Sequence, residues 1–225
     1  MVSDNQSADS AVPPGTILHD RARSYWQVCT NSRLAAADFY ERQATALRNL
    51  LGGIPPAASA LDLGCGDGYF TLILAERFAA VRGVDLSPAL ISQARLLAAE
   101  ASRADGAPSV TIDECDVEAV EATPVDLLAC MGVLSGIIDP DAFEQMLERF
   151  ARLTRPGGHL LTKDTLSHVD DITNITDAYC ALYRTRKRYL DAITARGFVL
   201  QQEVVLHDGA PTTRNSLFLF VNQPG

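Results

Sequence analysis

Short apolar segments alternate with amphipathic segments along most of the chain. Residues 125–131 are almost continuously apolar, which is typical of a strand buried on both faces of a parallel sheet. Phe143, Met146, Leu147, Phe150 and Leu153 recur at the spacing of one helix face. The same reading predicts strands at 59–63, 79–84, 109–112, 125–131 and 159–163, then a hairpin of 198–206 and 216–221 that turns at 208–211.

Two further helices are predicted before the first strand, over residues 16–30 and 34–51. Gly52 and Gly53 end the second of these helices. They either cap a ligand cleft or cover one face of the sheet, and we expect the first to be the cap. The predicted organisation is a Ser/Asp/Pro-rich flexible tail (1–15), a helical cap (16–53) and an α/β domain (54–225).

Strands that alternate with helices and end in a hairpin predict an α/β fold with a doubly wound sheet. Right-handed crossovers place the binding crevice of such a sheet at the carboxyl ends of its strands. A polar stretch over 164–177 precedes one more predicted helix, at about 178–196.

Charge and cysteine content narrow the choice of partners. The net charge is −9 and the isoelectric point is about 4.8, so the chain lacks the positive charge that dominates nucleic-acid binding. No apolar run approaches the roughly 18 residues of a membrane span. The five cysteines are scattered, with no C-x-x-C pair, which favours a reduced cytoplasmic protein without zinc or disulfides. We expect a small-molecule substrate and a monomer or homodimer.

The residues that suggest chemistry begin with a glycine turn between the first strand and a helix. Gly64, Gly66 and Gly68 alternate within Ser59–Phe70, and glycine tolerates positive φ and close backbone approach. The N–H groups of such a turn, next to a helix N-terminus, suit a polar or anionic ligand tail. A dinucleotide G-x-G-x-x-G fingerprint would need glycine where Tyr69 stands. A purely structural turn is the alternative.

The phrase L-D-L-G-C-G-D-G-Y-F resembles the first motif of class I S-adenosylmethionine (SAM)-dependent methyltransferases. The resemblance implies SAM as cofactor, with the glycine turn beside its methionyl part. It also implies a Rossmann-like sheet of seven mostly parallel strands in the order 3-2-1-4-5-7-6, with strand 7 antiparallel.

Asp85 ends the second predicted strand, 21 residues after Gly64. A carboxylate at this position can accept hydrogen bonds from both ribose hydroxyls, and Leu86 would offer an apolar face to adenine. Charge complementarity at the next helix is the alternative, although Ser87 serves that end better. The resemblance further implies that Asp116 accepts from the adenine amino group and that the Val117 N–H contacts the ring, with the register among neighbouring acids left open.

The remaining cofactor residues follow from the ends of strands one and four. Asp62 is expected to fix the turn and to lie near the cofactor's amino group, while Cys130 and Met131 offer carbonyl oxygens to it. Cys65 and Cys130 are interpreted as packing residues, since neither has a base beside it in sequence. The predicted cofactor set is Asp62, Gly64, Cys65, Gly66, Asp85, Leu86, Asp116, Val117, Cys130 and Met131.

The acceptor side is less clearly marked. Residues 130–134 lack the N/D-P-P-Y/F motif of many DNA and protein methyltransferases, and Asp164 alone stands where a metal would need several acids. We therefore expect O-, N- or C-methylation of a small metabolite without a metal, in a biosynthetic role. The candidate catalytic residues are Tyr25, Tyr179, Tyr183 and His168, with His19, Trp26, Ser135, Asp164 and Thr165 nearby.

Each acceptor-side prediction has a simpler alternative. Tyr179 and Tyr183, with Arg186, Leu190 and Ile193, would share a helix face that packs in the core. His168 would be merely solvated, and the basic run over 184–188 a solvated helix face instead of a carboxylate site. Two other functions also stay open: cyclisation or elimination within SAM, which releases methylthioadenosine, and SAM binding for regulation without turnover.

Overall fold

The computed structural model describes residues 14–55, 57–103, 106–176, 179–208 and 211–223. Most of the predicted tail, residues 1–13, lies outside this part of the chain, and so do residues 209–210 of the predicted hairpin turn. Residues 14 and 15, which were assigned to the tail, begin the first helix.

Nine strands form two sheets within the described chain. They are β1 (Ala57–Leu63), β2 (Phe78–Asp85), β3 (Ser109–Glu114), β4 (Val125–Met131), β5 (Thr154–Ser167), β6 (Ile172–Ile175), β7 (Cys180–Tyr183), β8 (Phe198–His207) and β9 (Thr213–Asn222). Seven of them form one sheet in the order β3-β2-β1-β4-β5-β9-β8, in which β9 is antiparallel to both neighbours. The predicted α/β class is confirmed. Strands β6 and β7 pair with each other outside this sheet, so β8 and β9 correspond to the predicted strands 6 and 7.

The described residues form six helices, of which the first two precede β1: α1 (Pro14–Gln27), α2 (Ala37–Gly52), α3 (Tyr69–Ala75), α4 (Pro88–Ala101), α5 (Pro140–Leu153) and α6 (Arg186–Thr194). Local capping explains where two of them begin. The Ser87 side chain accepts from the Leu90 N–H at the start of α4, and the Asp139 carboxylate accepts from the Ala142 N–H at the start of α5. A proline occupies the first turn of both helices, where its missing N–H costs nothing.

The helix predicted over 178–196 is wrong in its first half. Residues 180–183 form β7 instead, which pairs with β6, and Cys180 and Ala181 are completely buried. Thr185 then caps α6 by accepting from the Arg188 N–H. A buried contact with α1 therefore outweighs the helical spacing, and Tyr179 and Tyr183 share no helix face with Arg186.

Both faces of the large sheet are covered. One face packs against α5 and α6 through large aromatic residues, among them Phe143, Phe150 and Tyr189. The other face packs against α2 and α3 through Leu47, Leu74 and their neighbours. Helix α2 therefore covers the sheet, whereas α1 contacts β7 at the carboxyl ends of the strands. The division at residue 53 stays a prediction. Within the described ranges, no helix is both long and apolar enough to cross a membrane.

Candidate active site

A cavity of about 710 Å³ opens at the carboxyl ends of the central strands. Its walls come from the turn after β1, the ends of β2, β4 and β5, the N-terminal part of α2, and residues of α1, β8 and β9. This is the edge at which a doubly wound sheet binds its ligands.

The glycine turn forms one end of this cavity. Gly64, Gly66 and Gly68 have φ values of +74°, +56° and +83°, a region that L side chains rarely adopt. A Cβ atom on Gly64 would lie 2.3 Å from Cγ2 of Val133, and one on Gly66 would lie 2.9 Å from Oγ of Ser32. Gly64 and Gly66 therefore let the turn approach the Val133 and Ser32 side chains closely, whereas Gly68, which a Cβ would bring against Ala94 of α4, serves helix packing.

Asp85 lines the cavity beside this turn. Its Oδ2 accepts from the Gly66 N–H and its Oδ1 from the Ser87 N–H, both at 2.9 Å. Burial raises the pKa of the carboxyl, and these N–H donors oppose the shift. A carboxylate has about four acceptor positions, so both oxygens can still accept from a ligand. Leu86 lines the same wall.

Two predicted cofactor side chains lie beneath the wall and do not line the cavity. Asp62 is 1 % exposed and accepts from Oγ1 of Thr71 at 2.6 Å, and burial raises its pKa to about 6. Cys130 is fully buried, and burial raises the pKa of its thiol. The Asp62 side chain joins β1 to α3. Met131 and Cys65 do line the cavity.

The Asp116 carboxylate does not line the cavity either, and its contact with a ligand base stays a prediction. It forms an ion pair with Arg23 of α1 and accepts from the Glu118 N–H. Arg23, Val117 and Glu118 line the cavity in its place. Sequence reasoning missed Arg23 because nothing in the local pattern relates α1 to the turn after β3.

His19 makes a second connection between α1 and the same turn. Its Nε2 lies 3.0 Å from Oε1 of Glu118, and its Nδ1 accepts from the Ile138 N–H at 3.3 Å. The hydrogen bond to Glu118 raises the pKa of this histidine. Helix α1 therefore covers the Val117 side of the cavity through two polar contacts.

The predicted aromatic group forms, although only part of it lines the cavity. Tyr25, Trp26 and Tyr179 pack edge to face, with ring centroids 5.1 to 6.2 Å apart. Trp26, Tyr179 and Tyr183 line the cavity, whereas Tyr25 supports them from behind. Burial raises the pKa of the Tyr179 hydroxyl above its usual range, which disfavours its action as a base.

His168 does not line the cavity, and its role as a candidate base stays a prediction. Strand β5 continues to Ser167 and carries His168 past the cavity wall. The His168 Nε2 lies 3.0 Å from Oδ1 of Asp208, and Asp208 also pairs with Arg214.

A buried polar network supports the loop after β4. Asp164, 2 % exposed, accepts from the Ser135 N–H and the Tyr189 hydroxyl, and burial raises its pKa to about 6. Arg184 is equally buried and donates to the Leu134 and Ile137 carbonyl oxygens. Arg184 therefore belongs neither to a solvated helix face nor to a carboxylate site.

Lys163 is a cavity residue that sequence reasoning missed. It projects from β5 so that Nζ lies 5.7 Å from the centroid of the Phe39 ring. Burial lowers the pKa of its ammonium group. Lys163 is the last residue of the predicted fifth strand. This position could have indicated a cavity residue, because the carboxyl ends of parallel strands face the crevice.

Comparison with known proteins places this geometry in a family. Residues 60–158 match the family model of a methyltransferase domain. The ubiquinone biosynthesis O-methyltransferase of Alkalilimnicola ehrlichii is 30% identical over 151 residues, which are 67% of this chain and 52% of that protein. The enzyme of the same name from Xylella fastidiosa (strain 9a5c) is 37% identical over 103 residues, 46% of this chain and 40% of that protein.

The chain belongs to the class I SAM-dependent methyltransferases. It spans about half the length of the curated relatives that it matches. A solved methyltransferase, the 1,6-didemethyltoxoflavin-N1-methyltransferase of Burkholderia thailandensis, has the same fold, with a TM-score of 0.72, 19% identity and coverage of 100% of this chain and 99% of that one.

The site fits the methyltransferase family's cofactor on two observations. Gly64 and Gly66 line the cavity with backbone and no side chain, and the Asp85 carboxylate beside them keeps free acceptor positions. Within the described residues, no group of three potential metal ligands converges.

Proposed function

We propose that this protein transfers the methyl group of SAM to an oxygen atom of a small metabolite, in a biosynthetic reaction. The observation that carries the proposal is that one continuous cavity joins the glycine turn to a second end formed by α2, β5 and β9. Its volume of about 710 Å³ lies within the roughly 300–1,000 Å³ of small-molecule sites. Oxygen is preferred among the possible acceptor atoms because the curated relatives are named O-methyltransferases.

At the cofactor end, the contacts described support a role for each of several residues. Asp85 would accept from the ribose hydroxyls while the Gly66 and Ser87 N–H groups hold it in place. The adenine would lie between Leu86 and Val117. Asp116 would act indirectly, because its ion pair positions Arg23 at the edge of the cavity.

SAM, when bound, supplies a methyl group on a positively charged sulfur that an acceptor oxygen can attack. The chain's contribution is to orient the acceptor and to exclude water. Trp26 and Tyr179 close one side of the cavity with aromatic surface. Aromatic faces suit a site that must hold a cation without a strong anion.

Calorimetric titration with S-adenosylhomocysteine (SAH), the demethylated product, tests the cofactor end. We expect binding by the unmodified protein and about a tenfold or greater loss in Asp85→Asn, since a charge-assisted acceptor is removed. Asp113→Asn is the matched control, because Asp113 pairs with Arg82 on the surface and does not line the cavity. Binding of NADH instead of SAH would overturn the proposal.

Product analysis tests the reaction. Incubation with methyl-labelled SAM and a panel of small phenols and hydroxy acids should yield SAH together with a labelled acceptor. Methylthioadenosine would instead indicate chemistry within the cofactor, and SAM binding without any turnover across the panel would favour a regulatory role. Either of these results would contradict methyl transfer.

A further inference from the structure

The end of the cavity opposite Asp85 has a polar lining that the cofactor does not require. Cross-strand pairing places Thr165 of β5 beside Asn215 of β9, and Asn215 beside His207 of β8. Lys163 lies two residues before Thr165 on β5, so that its side chain is on the same face. All four residues line the cavity.

Helix α2 covers this row. Phe39 and Gln43 are four residues apart and so lie on one helix face, and the Nζ of Lys163 near the Phe39 ring shows that this face meets the sheet. Gln43 is 1 % exposed although it lines the cavity. This surface, comprising Lys163, Asn215 and Gln43, is called the acceptor end below.

Two carbonyl oxygens of the acceptor end are buried without a partner. Neither Oε1 of Gln43 nor Oδ1 of Asn215 has a hydrogen bond, although the Asn215 amide nitrogen donates to Oγ1 of Thr165. A buried acceptor that lacks a donor costs about 1–3 kcal/mol. A ligand that brings hydrogen-bond donors to this end would remove that cost.

Lys163 differs from the other cationic side chains that line the cavity. Within the described part of the chain, Lys163 has no ion pair, and its one cation–π contact is with the Phe39 ring. The other three each pair with a carboxylate: Arg23 with Asp116, Arg33 with Asp67, and Arg42 with Asp38. In a protein of net charge −9, Lys163 is the cavity cation left available to an anion from outside.

We propose that the acceptor end selects a small molecule with an oxyanion, bound by Lys163, next to a hydroxyl group that donates to Gln43 or Asn215. This inference rests on the proposed function and specifies its substrate class. The anionic oxygen can belong to a carboxylate or to an acidic hydroxyl, because both present the same charge to Nζ. A neutral amide of the same shape would leave the ammonium group uncompensated.

Ligand-detected NMR titrations of the SAH-saturated protein test the inference with three probes: benzoate, 3-hydroxybenzoate and benzamide. We expect benzoate to bind about tenfold more tightly than benzamide, and 3-hydroxybenzoate more tightly than benzoate. In Lys163→Met the preference over benzamide should disappear, while Lys163→Arg keeps it. Gln43→Leu and Asn215→Leu should lose the added affinity of the hydroxyl group and keep that of the carboxylate.

Lys187→Met is the matched control, because Lys187 is an exposed residue of α6 that pairs with Asp191. SAH affinity, measured for every variant, shows that each one is folded and separates the two proposals. Failure of SAH to bind contradicts the proposed function itself. With SAH bound, equal affinity for benzoate and benzamide, benzoate binding that Lys163→Met leaves unchanged, or no binding of any probe would overturn the acceptor-end inference alone.

Discussion

Gly64 combines a left-handed backbone with a close approach to another side chain. Its φ is +74°, and Cγ2 of Val133 lies 2.3 Å from the position of a Cβ. We expect Gly64→Ala to lower the free energy of unfolding by more than the roughly 1–2 kcal/mol of a left-handed alanine, and to weaken SAH binding about tenfold or more.

Gly157→Ala separates these two effects. Gly157 has a φ of +73° and nothing within 4 Å of its Cβ position, so that this variant has the backbone strain without the clash. Denaturant unfolding and SAH titration of both variants make the comparison. Equal losses of stability and equal SAH affinities would contradict a packing role for Gly64.

Asp62 makes stability depend on pH. Its pKa in the folded protein, about 6, exceeds its ordinary value of 3.8, so the folded state binds this proton more tightly than the unfolded state. The contribution of Asp62 to the free energy of unfolding should therefore increase as pH falls from about 7 towards about 4. In Asp62→Asn, denaturant unfolding across that range should show a gain smaller by up to about 3 kcal/mol. The same gain in both proteins would contradict the assignment.

Single residues also show how far the sequence could predict the site. Asp85 and the glycines were found because their spacing from a strand end determines where they lie. Asp116 follows two residues after the end of β3, but its partner Arg23 comes from α1, and such a long-range pairing leaves no local signal. Lys163 was missed because a lone lysine on a strand is ordinarily solvated, and its surroundings depend on Phe39 of α2.

At the scale of elements, α1 is attached to the sheet by the cap of α4. The Ser87 hydroxyl accepts from the Leu90 N–H and donates to the Cys29 carbonyl oxygen at 2.6 Å, just beyond the end of α1. We expect Ser87→Ala to cost about 1 kcal/mol of stability and to speed hydrogen exchange of α1 amides.

Thr185→Ala is the control, since Thr185 caps α6 by accepting from the Arg188 N–H. It should cost a similar amount of stability and leave hydrogen exchange in α1 unchanged. Faster exchange of α1 in both variants would indicate general loosening and contradict a specific attachment at Ser87.

Arg184 stabilises the loop after β4. Its guanidinium group stacks 3.6 Å from the Phe143 ring centroid and donates to two loop carbonyl oxygens. We expect Arg184→Met to cost about 3 kcal/mol, because both carbonyl groups lose a buried donor. Arg186→Met, which removes an exposed pair with Glu203, should cost less than about 1 kcal/mol. Similar unfolding midpoints for the two variants would contradict this role.

The elements themselves were predicted unevenly, for a physical reason. Strands of the large sheet followed from apolar runs, since burial on both faces leaves few polar positions. Residues 180–183 also have apolar character, but tertiary contact with Ala22 and Ile138 makes them a strand where spacing indicated a helix. Short elements depend on such contacts more than long ones do.

For the whole molecule, cofactor binding should appear as added stability. SAH at about 100 times its dissociation constant should add about 2.7 kcal/mol to the free energy of unfolding, or roughly 5–10 °C in the melting temperature at this chain length. Thermal scans with SAH and, as a control, with NADH measure this shift. A shift with NADH and none with SAH would contradict the use of SAM as cofactor.

The position of β9 inside the sheet affects how the chain folds during its synthesis. β9 follows every other strand in sequence, yet it lies between β5 and β8, so a nascent chain that stops before Thr213 leaves both neighbours with unpaired edges. The apolar stretch of β5, including Leu160 and Leu161, would then be exposed to other nascent chains. Slow synthesis of residues 213–222 should therefore favour aggregation, and chaperones that shield strand edges during translation should raise the yield of folded protein.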